Sequence, residues 1–335
     1  MASPDPKFEV APPVAPVMVR VEDISKNFGN VRAIEHVSFE IRQGEVLGFL
    51  GPNGAGKTTA MRILTGFFPP TQGRVWIGEI ELFKKPKEAK RHIGYMPESV
   101  SLYGDMKVLE FLGFVARIKN VPRGKRAAHI EEKLQRCGVG EVKNRLIGQL
   151  SKGYRQRIGL AQALIGDPGV LILDEPTNGL DPKQIVEVRS LIRELGKERT
   201  LILSTHILPE VSMVCDRVLI MNRGSVVASG TTEELEAGLK KAHEIFVVMG
   251  DRCRKEEALD ILRSISGIDR ITVTEEKNDQ VSFSMVISRN EDLRPVISRL
   301  FVERKLPLLE IRSGRLSLEE IFMKIVLDEK SGRDF

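Results

Sequence analysis

Residues Gly51 to Thr59 read GPNGAGKTT. The segment fits G-x-x-x-x-G-K-[ST] throughout, the pattern of a phosphate-binding P-loop. The run Glu45 to Leu50 (EVLGFL) leads into it as a strand, and Thr58 to Leu64 is compatible with a helix. That strand–loop–helix setting is what the motif requires. Gly51, Gly54 and Gly56 let the backbone through Pro52, Asn53 and Ala55 curl until successive N–H groups point at phosphate oxygens. The positive end of the following helix adds to the attraction. Lys57 is expected to reach the β- and γ-phosphates of a nucleotide, and the Thr58 hydroxyl, beside Thr59, to ligate Mg²⁺.

A second apolar run, Val170 to Leu173, ends in Asp174 and Glu175 before Pro176. Two acids before a proline could simply open a turn. Beside a full P-loop, Asp174 at the strand's end is expected to hold Mg²⁺, directly or through water. Glu175, one residue on, points another way and is placed to take a proton from an attacking water.

The rest of the chain agrees with an enzyme of this kind. It has 335 residues, 41% hydrophobic and 29% charged, enough apolar content for a core and room for two domains. No apolar run approaches the ~18–20 residues of a membrane-spanning helix. Residues 1–16 read as a disordered, Pro- and Ala-rich arm with too little apolar character for a secretory signal. Cys137, Cys215 and Cys253 are far apart and odd in number, which suits a reducing compartment without disulfides or a zinc site. The net charge of +5 does not demand nucleic acid. The basic run Lys119 to Arg136 reads as a solvated helix face.

Val17–Glu22 and Val37–Ile41 alternate as half-buried strands, and Arg74–Ile77 and His92–Tyr95 are short strands. From about 99 to 165 the periodicity becomes helical. Buried strands at Val170–Leu173 and Thr200–Ser204 beside helical stretches predict an α/β core with parallel central strands, closed by a hairpin at Arg217–Asn222 and Ser225–Ser229. Residues 17–238 would form this domain. Residues 239–335 read strand, helix, strand, strand, helix, strand, a small α+β ferredoxin-like unit with an added helix at Ser317–Val326.

Leu150-Ser151-Lys152-Gly153-Tyr154 resembles the LSGGQ signature of the ATP-binding subunits of ABC transporters. The resemblance covers roughly Val17 to Ser229 and rests on several motifs in the family's order. It implies a P-loop NTPase of the ABC type, with a parallel sheet core, an antiparallel β subdomain and a helical subdomain. Ser151 and Gly153 would bind the terminal phosphate of an ATP held by a second subunit. Lys152 and Tyr154 depart from the signature. Asn178 to Pro182 (NGLDP) looks like the D-loop, with Asp181, although an Asp-Pro helix start fits the same residues. His206 matches the switch histidine that orients water or Glu175. Phe28 stands where the family places an adenine-stacking aromatic; a core Phe is the competing reading. At Met96-Pro97-Glu98 the family usually has Gln, the Q-loop residue that touches Mg²⁺ and senses the membrane partner. Glu98 keeps an acceptor for the metal and loses the amide donor.

The resemblance therefore implies a Mg²⁺-dependent ATPase with Glu175, His206 and Lys57 as catalytic groups. It would lie at the cytoplasmic face of a membrane, as a homodimer or heterodimer, with separate permease chains docking near Glu98 to Phe111. Tyr103 and Met106 are candidate anchors there. Leu316 to Phe322 (LSLEEIF) resembles the tail of export-type ATPases. A soluble ABC-type ATPase acting as an assembly or mechanochemical factor is the second reading. Against it, the long coiled coils of the DNA-repair relatives and the paired cassettes of the translation-factor relatives are missing. A non-hydrolysing nucleotide sensor would be expected to lack Glu175 or His206.

Overall fold

The computed structural model describes residues 15–238, 243–251, 254–277, 279–287 and 292–314. The helix expected at Ser317–Val326, the LSLEEIF segment, most of the N-terminal arm and Cys253 lie outside them. The chain divides into two units, Met1–Ser229 and Gly230–Phe335. In chain order the first unit runs β1 (Val17–Phe28), β2 (Val31–Arg42), β3 (Val46–Leu50), α1 (Lys57–Leu64), β4 (Gln72–Ile77), β5 (Ile80–Glu81), α2 (Pro86–Ala89), β6 (Ile93–Met96), α3 (Val108–Ile118) and α4 (Arg126–Arg136). It continues through α5 (Lys152–Leu164), β7 (Val170–Asp174), α6 (Pro182–Gly196), β8 (Thr200–Thr205), α7 (Leu208–Val214), β9 (Arg217–Asn222) and β10 (Ser225–Gly230).

Two sheets carry it. One has the order β2-β1-β4-β5, the other β10-β9-β3-β8-β7-β6. Strands β3, β7 and β8 are buried at every position, so both of their faces must be covered, as in a parallel α/β core. Their ladders are parallel, which brings their C-terminal ends to one edge, where ligands of α/β sheets bind. In β2 burial alternates, with Ile34, Val37, Phe39 and Ile41 inward. The β9–β10 turn has positive φ at both Arg223 (46°) and Gly224 (86°), the twist-matched two-residue hairpin. Strand β9 itself is parallel to β3, so within this six-stranded sheet the parallel order extends as far as β9. Helices α3 to α5 pack around Val108, Leu112, Leu134, Ile158 and Leu164.

The basic run is a correction. Lys133 is 1% exposed, because α4 turns it inward beside Ile130 and Leu134, three residues before it and one after. Its ammonium is paired with Asp167 at 2.7 Å and Glu132 at 2.8 Å, as a buried charge requires.

The second unit contains α8 (Thr232–Gly238), β11 (His243–Met249), α9 (Lys255–Ser264), β12 (Ile268–Lys277), β13 (Gln280–Ile287), α10 (Arg294–Glu303) and β14 (Leu308–Gly314). Its sheet order is β12-β13-β11-β14, with every adjacent pair antiparallel. Alternate residues Ile245, Val247, Met249, Phe283 and Met285 meet Leu262, Ile297 and Phe301 in one core. Helix α8 was not anticipated, yet its signal is in the sequence. Thr231 and Glu234 form a capping box, with reciprocal bonds of 3.0 and 2.9 Å.

Candidate active site

The C-terminal ends of β3, β7 and β8 deliver the P-loop, the acid pair and the histidine to one place. Gly56 precedes α1 at φ 100°, and a Cβ there would stand 2.6 Å from the Ala33 carbonyl. At Gly51 a Cβ would stand 2.5 Å from the Met221 carbonyl. Both positions therefore exclude a side chain, and the loop lies pressed against β9. Asn53 to Thr59, Val31 to Ala33, Glu98, Glu175, Asn178 and His206 surround a cavity of about 580 Å³.

Lys57 is 5% exposed. Its ammonium donates to the carbonyls of Gly51 at 2.7 Å and Pro52 at 3.2 Å, and lies 3.6 Å from Glu175 Oε1. Burial lowers its pKa, and Glu175 opposes that shift. Asp174 Oδ1 accepts from Ser204 Oγ, its register partner on β8. Asp174 Oδ2 is buried without a hydrogen-bond partner. Burial raises the Asp174 pKa, the Ser204 and Thr58 hydroxyls act against the rise, and Glu98 adds to it. A buried, unpartnered carboxylate oxygen close to a threonine hydroxyl is a donor set that suits a hard divalent cation.

Glu175 turns away from Asp174 because its backbone is left-handed, φ 48°, a strained state for a non-glycine residue that the fold must hold in place. Ser204 holds it, accepting from Glu175 N–H at 3.0 Å through Oγ and 3.1 Å through its carbonyl. Glu175 Oε2 meets His206 Nδ1 at 2.8 Å. Burial raises the Glu175 pKa, with His206 and Lys57 pulling the other way. A half-exposed histidine thus touches a buried carboxylate whose proton affinity is raised, the arrangement of a general base and its orienting partner.

Ser151, Gly153 and Asp181 are not brought to this cavity. With Tyr154, Arg157 and Gln184 they line a second one of about 270 Å³, which shares no residue with the first. Ser151 caps α5, accepting from Tyr154 N–H at 3.4 Å, and Asp181 caps α6, accepting from Gln184 N–H at 2.9 Å. At Gly153 a Cβ would meet only the end of the Gln184 side chain, at 2.6 Å. Tyr154 donates its hydroxyl to Glu141.

An ABC transporter family model matches residues 34–178. The chain is 34% identical over 311 residues to the bacitracin transport ATP-binding protein BcrA of Bacillus licheniformis, covering 92% of this chain and 97% of the relative. The chain belongs to the ATP-binding subunits of ABC transporters. A second relative, the uncharacterized ABC transporter ATP-binding protein YhcH of Bacillus subtilis, is 32% identical over 317 residues, 93% of this chain and 97% of the relative. Among solved structures, cbiO1 from Clostridium perfringens, part of the ABC transporter complex cbiONQ, matches with a TM-score of 0.60 and 28% identity over 75% of this chain and 96% of that one. The protein is thus an ATP-binding, ATP-hydrolysing subunit of a transporter, and the soluble-factor reading is set aside. Among the described residues no helix is long and apolar enough to cross a membrane.

Within this ABC ATPase Phe28, Tyr103 and Met106 also stand apart from the first cavity. Phe28 ends β1, 49% exposed, edge-on to Phe68 at 5.5 Å and next to the Val31–Ala33 wall; it does not line the cavity. Met106 packs against the helical core, whereas Tyr103 is exposed. Asn178, which the sequence marks only as the first residue of the D-loop segment, and Ser204 also belong to the site. Asn178 Nδ2 donates to Glu98 Oε1 at 3.0 Å, so the unusual Q-loop acid is tied to the D-loop segment.

Proposed function

We propose that two copies, or one copy and a paralogue, sandwich two ATP molecules against separate permease chains at the cytoplasmic face of a membrane. Each ATP would lie between the P-loop of one copy and Ser151 and Gly153 of the other. The observation that carries this reading is the gathering of Lys57, Glu175 and His206 around one cavity, with Asp174 next to Glu175 at the end of β7, while the signature residues line another. Lys57 would hold the terminal phosphates, Glu175 would take the proton of the attacking water, and His206 would orient them. Asp174 and Thr58 would hold Mg²⁺, which when bound neutralises charge on the phosphates. Full-length similarity to a relative named for bacitracin transport supports a drug-like cargo, and the resemblance of the LSLEEIF tail supports export. Capture from detergent-solubilised membranes tests the assignment. A polytopic permease is the expected co-purifying chain, and exclusively soluble partners would count against it.

Glu98 would reach the metal, directly or through water, and remain the joint to the permease. Glu98→Gln and Glu98→Ala are each expected to lower the ATPase rate at saturating Mg²⁺, the alanine variant more. Wild-type rates in both would remove Glu98 from the site.

A further inference from the structure

The loops that carry Glu175 and His206 meet a second time, through a residue that the proposed chemistry does not use. Glu210 of α7 is 1% exposed. Its Oε1 accepts from Thr177 Oγ1 at 2.5 Å and from Arg189 Nη2 at 3.3 Å. Its Oε2 accepts from Thr205 Oγ1 at 2.7 Å. Thr177 stands two residues after Glu175, and Thr205 immediately precedes His206. Arg189 lies on α6, the helix that Asp181 caps. Thr205 Oγ1 also accepts from Ile207 N–H at 3.0 Å, so the backbone on both sides of His206 is tied down while the imidazole stays 43% exposed.

A buried carboxylate costs stability unless its acceptors are filled, and well-packed apolar residues usually do as well or better. Stability alone therefore does not account for an acid here. Two hydroxyl donors and a guanidinium from three separate segments do something apolar packing cannot: they fix direction as well as distance. We propose that Glu210 is a positioning residue. Through Thr177 and Thr205 it sets the distance between the general base and its histidine, and through Arg189 it links that distance to the helix following the D-loop. This rests on the reading of Glu175 and His206 given above. Glu210 touches no reacting atom. It acts on turnover, because a displacement of about 1 Å in a catalytic contact can cost as much as a hundredfold, and it leaves the P-loop contacts of ATP intact.

Steady-state ATPase assays on the full chain, with melting curves alongside, test this. Thr205→Val and Glu210→Gln are expected to lower kcat at least about tenfold with KM for ATP within about twofold of wild type. Thr205→Ser, which keeps the hydroxyl, is expected to keep kcat. Thr177→Val gives a second probe of the same contact should Glu210→Gln fail to fold. Equal turnover in Thr205→Val and Thr205→Ser would overturn the proposal, as would a KM that rises in step with the fall in kcat. Wild-type turnover in Glu175→Gln and His206→Ala would overturn the underlying reading and this proposal together. Loss in those two, with wild-type turnover in Thr205→Val and Glu210→Gln, would overturn this proposal alone.

Discussion

Glu175→Gln is expected to bind ATP with near wild-type affinity and to lose turnover by about a hundredfold or more, the usual worth of a general base. The amide keeps the shape and can still bond to His206, but it cannot accept a proton. Fluorescent-nucleotide titration and phosphate release, measured on the same preparation, check both halves, and an active variant would remove Glu175 from the base role. The raised pKa adds a pH signature. Turnover should climb with pH through a value above the ordinary glutamate pKa, and the variant should lack that limb. The same shift has a consequence for stability. The folded chain holds this proton more tightly than the unfolded chain, so stability falls as pH rises from the ordinary value through the raised one. At neutral pH the carboxylate therefore costs the fold free energy. Glu175→Gln should melt no lower than wild type there, with any advantage vanishing near the ordinary glutamate pKa of about 4.3.

The second large effect follows from the separation of the two cavities. Lys57→Ala removes the phosphate ligand, and Ser151→Phe fills the signature cavity; each alone should be nearly inactive. Mixed in equal amounts and allowed to re-pair, they should recover activity. In a mixed pair the intact P-loop of one copy faces the intact signature of the other, so random pairing restores up to about a quarter of wild-type turnover. No recovery on mixing, with both variants folded, would argue for a site completed within one chain.

Much of this site was legible because its chemistry is contiguous. The P-loop, the acid pair and the histidine each sit at the end of a strand whose apolar run announces it, and each motif carries its own backbone geometry. Ser204 was not legible, and neither was the bond from Asn178 to Glu98. Ser204 matters because the parallel register sets it opposite Asp174, and register between strands separated by a whole helix leaves no local trace in the sequence. Glu210 was hidden for the same reason, since its partners come from three separate segments. Lys133 shows the opposite limit: charge pattern along a helix does not say which side faces inward when Asp167, far along the chain, is there to pair with it. The start of α8 has a local signal in the sequence, the Thr231–Glu234 capping box.

Two disjoint cavities on one chain also constrain symmetry. A P-loop on one copy that seeks a signature on another is a head-to-tail contact, and repeated without closure such contacts build filaments. Only if the same contact is made in both directions at once does the assembly stop at two. Reciprocity then forces the ligands to come in pairs on a shared two-fold axis. Two identical copies would offer equivalent sites, so any difference between the two ATP molecules would have to come from a paralogue in one position or from permease chains that break the axis.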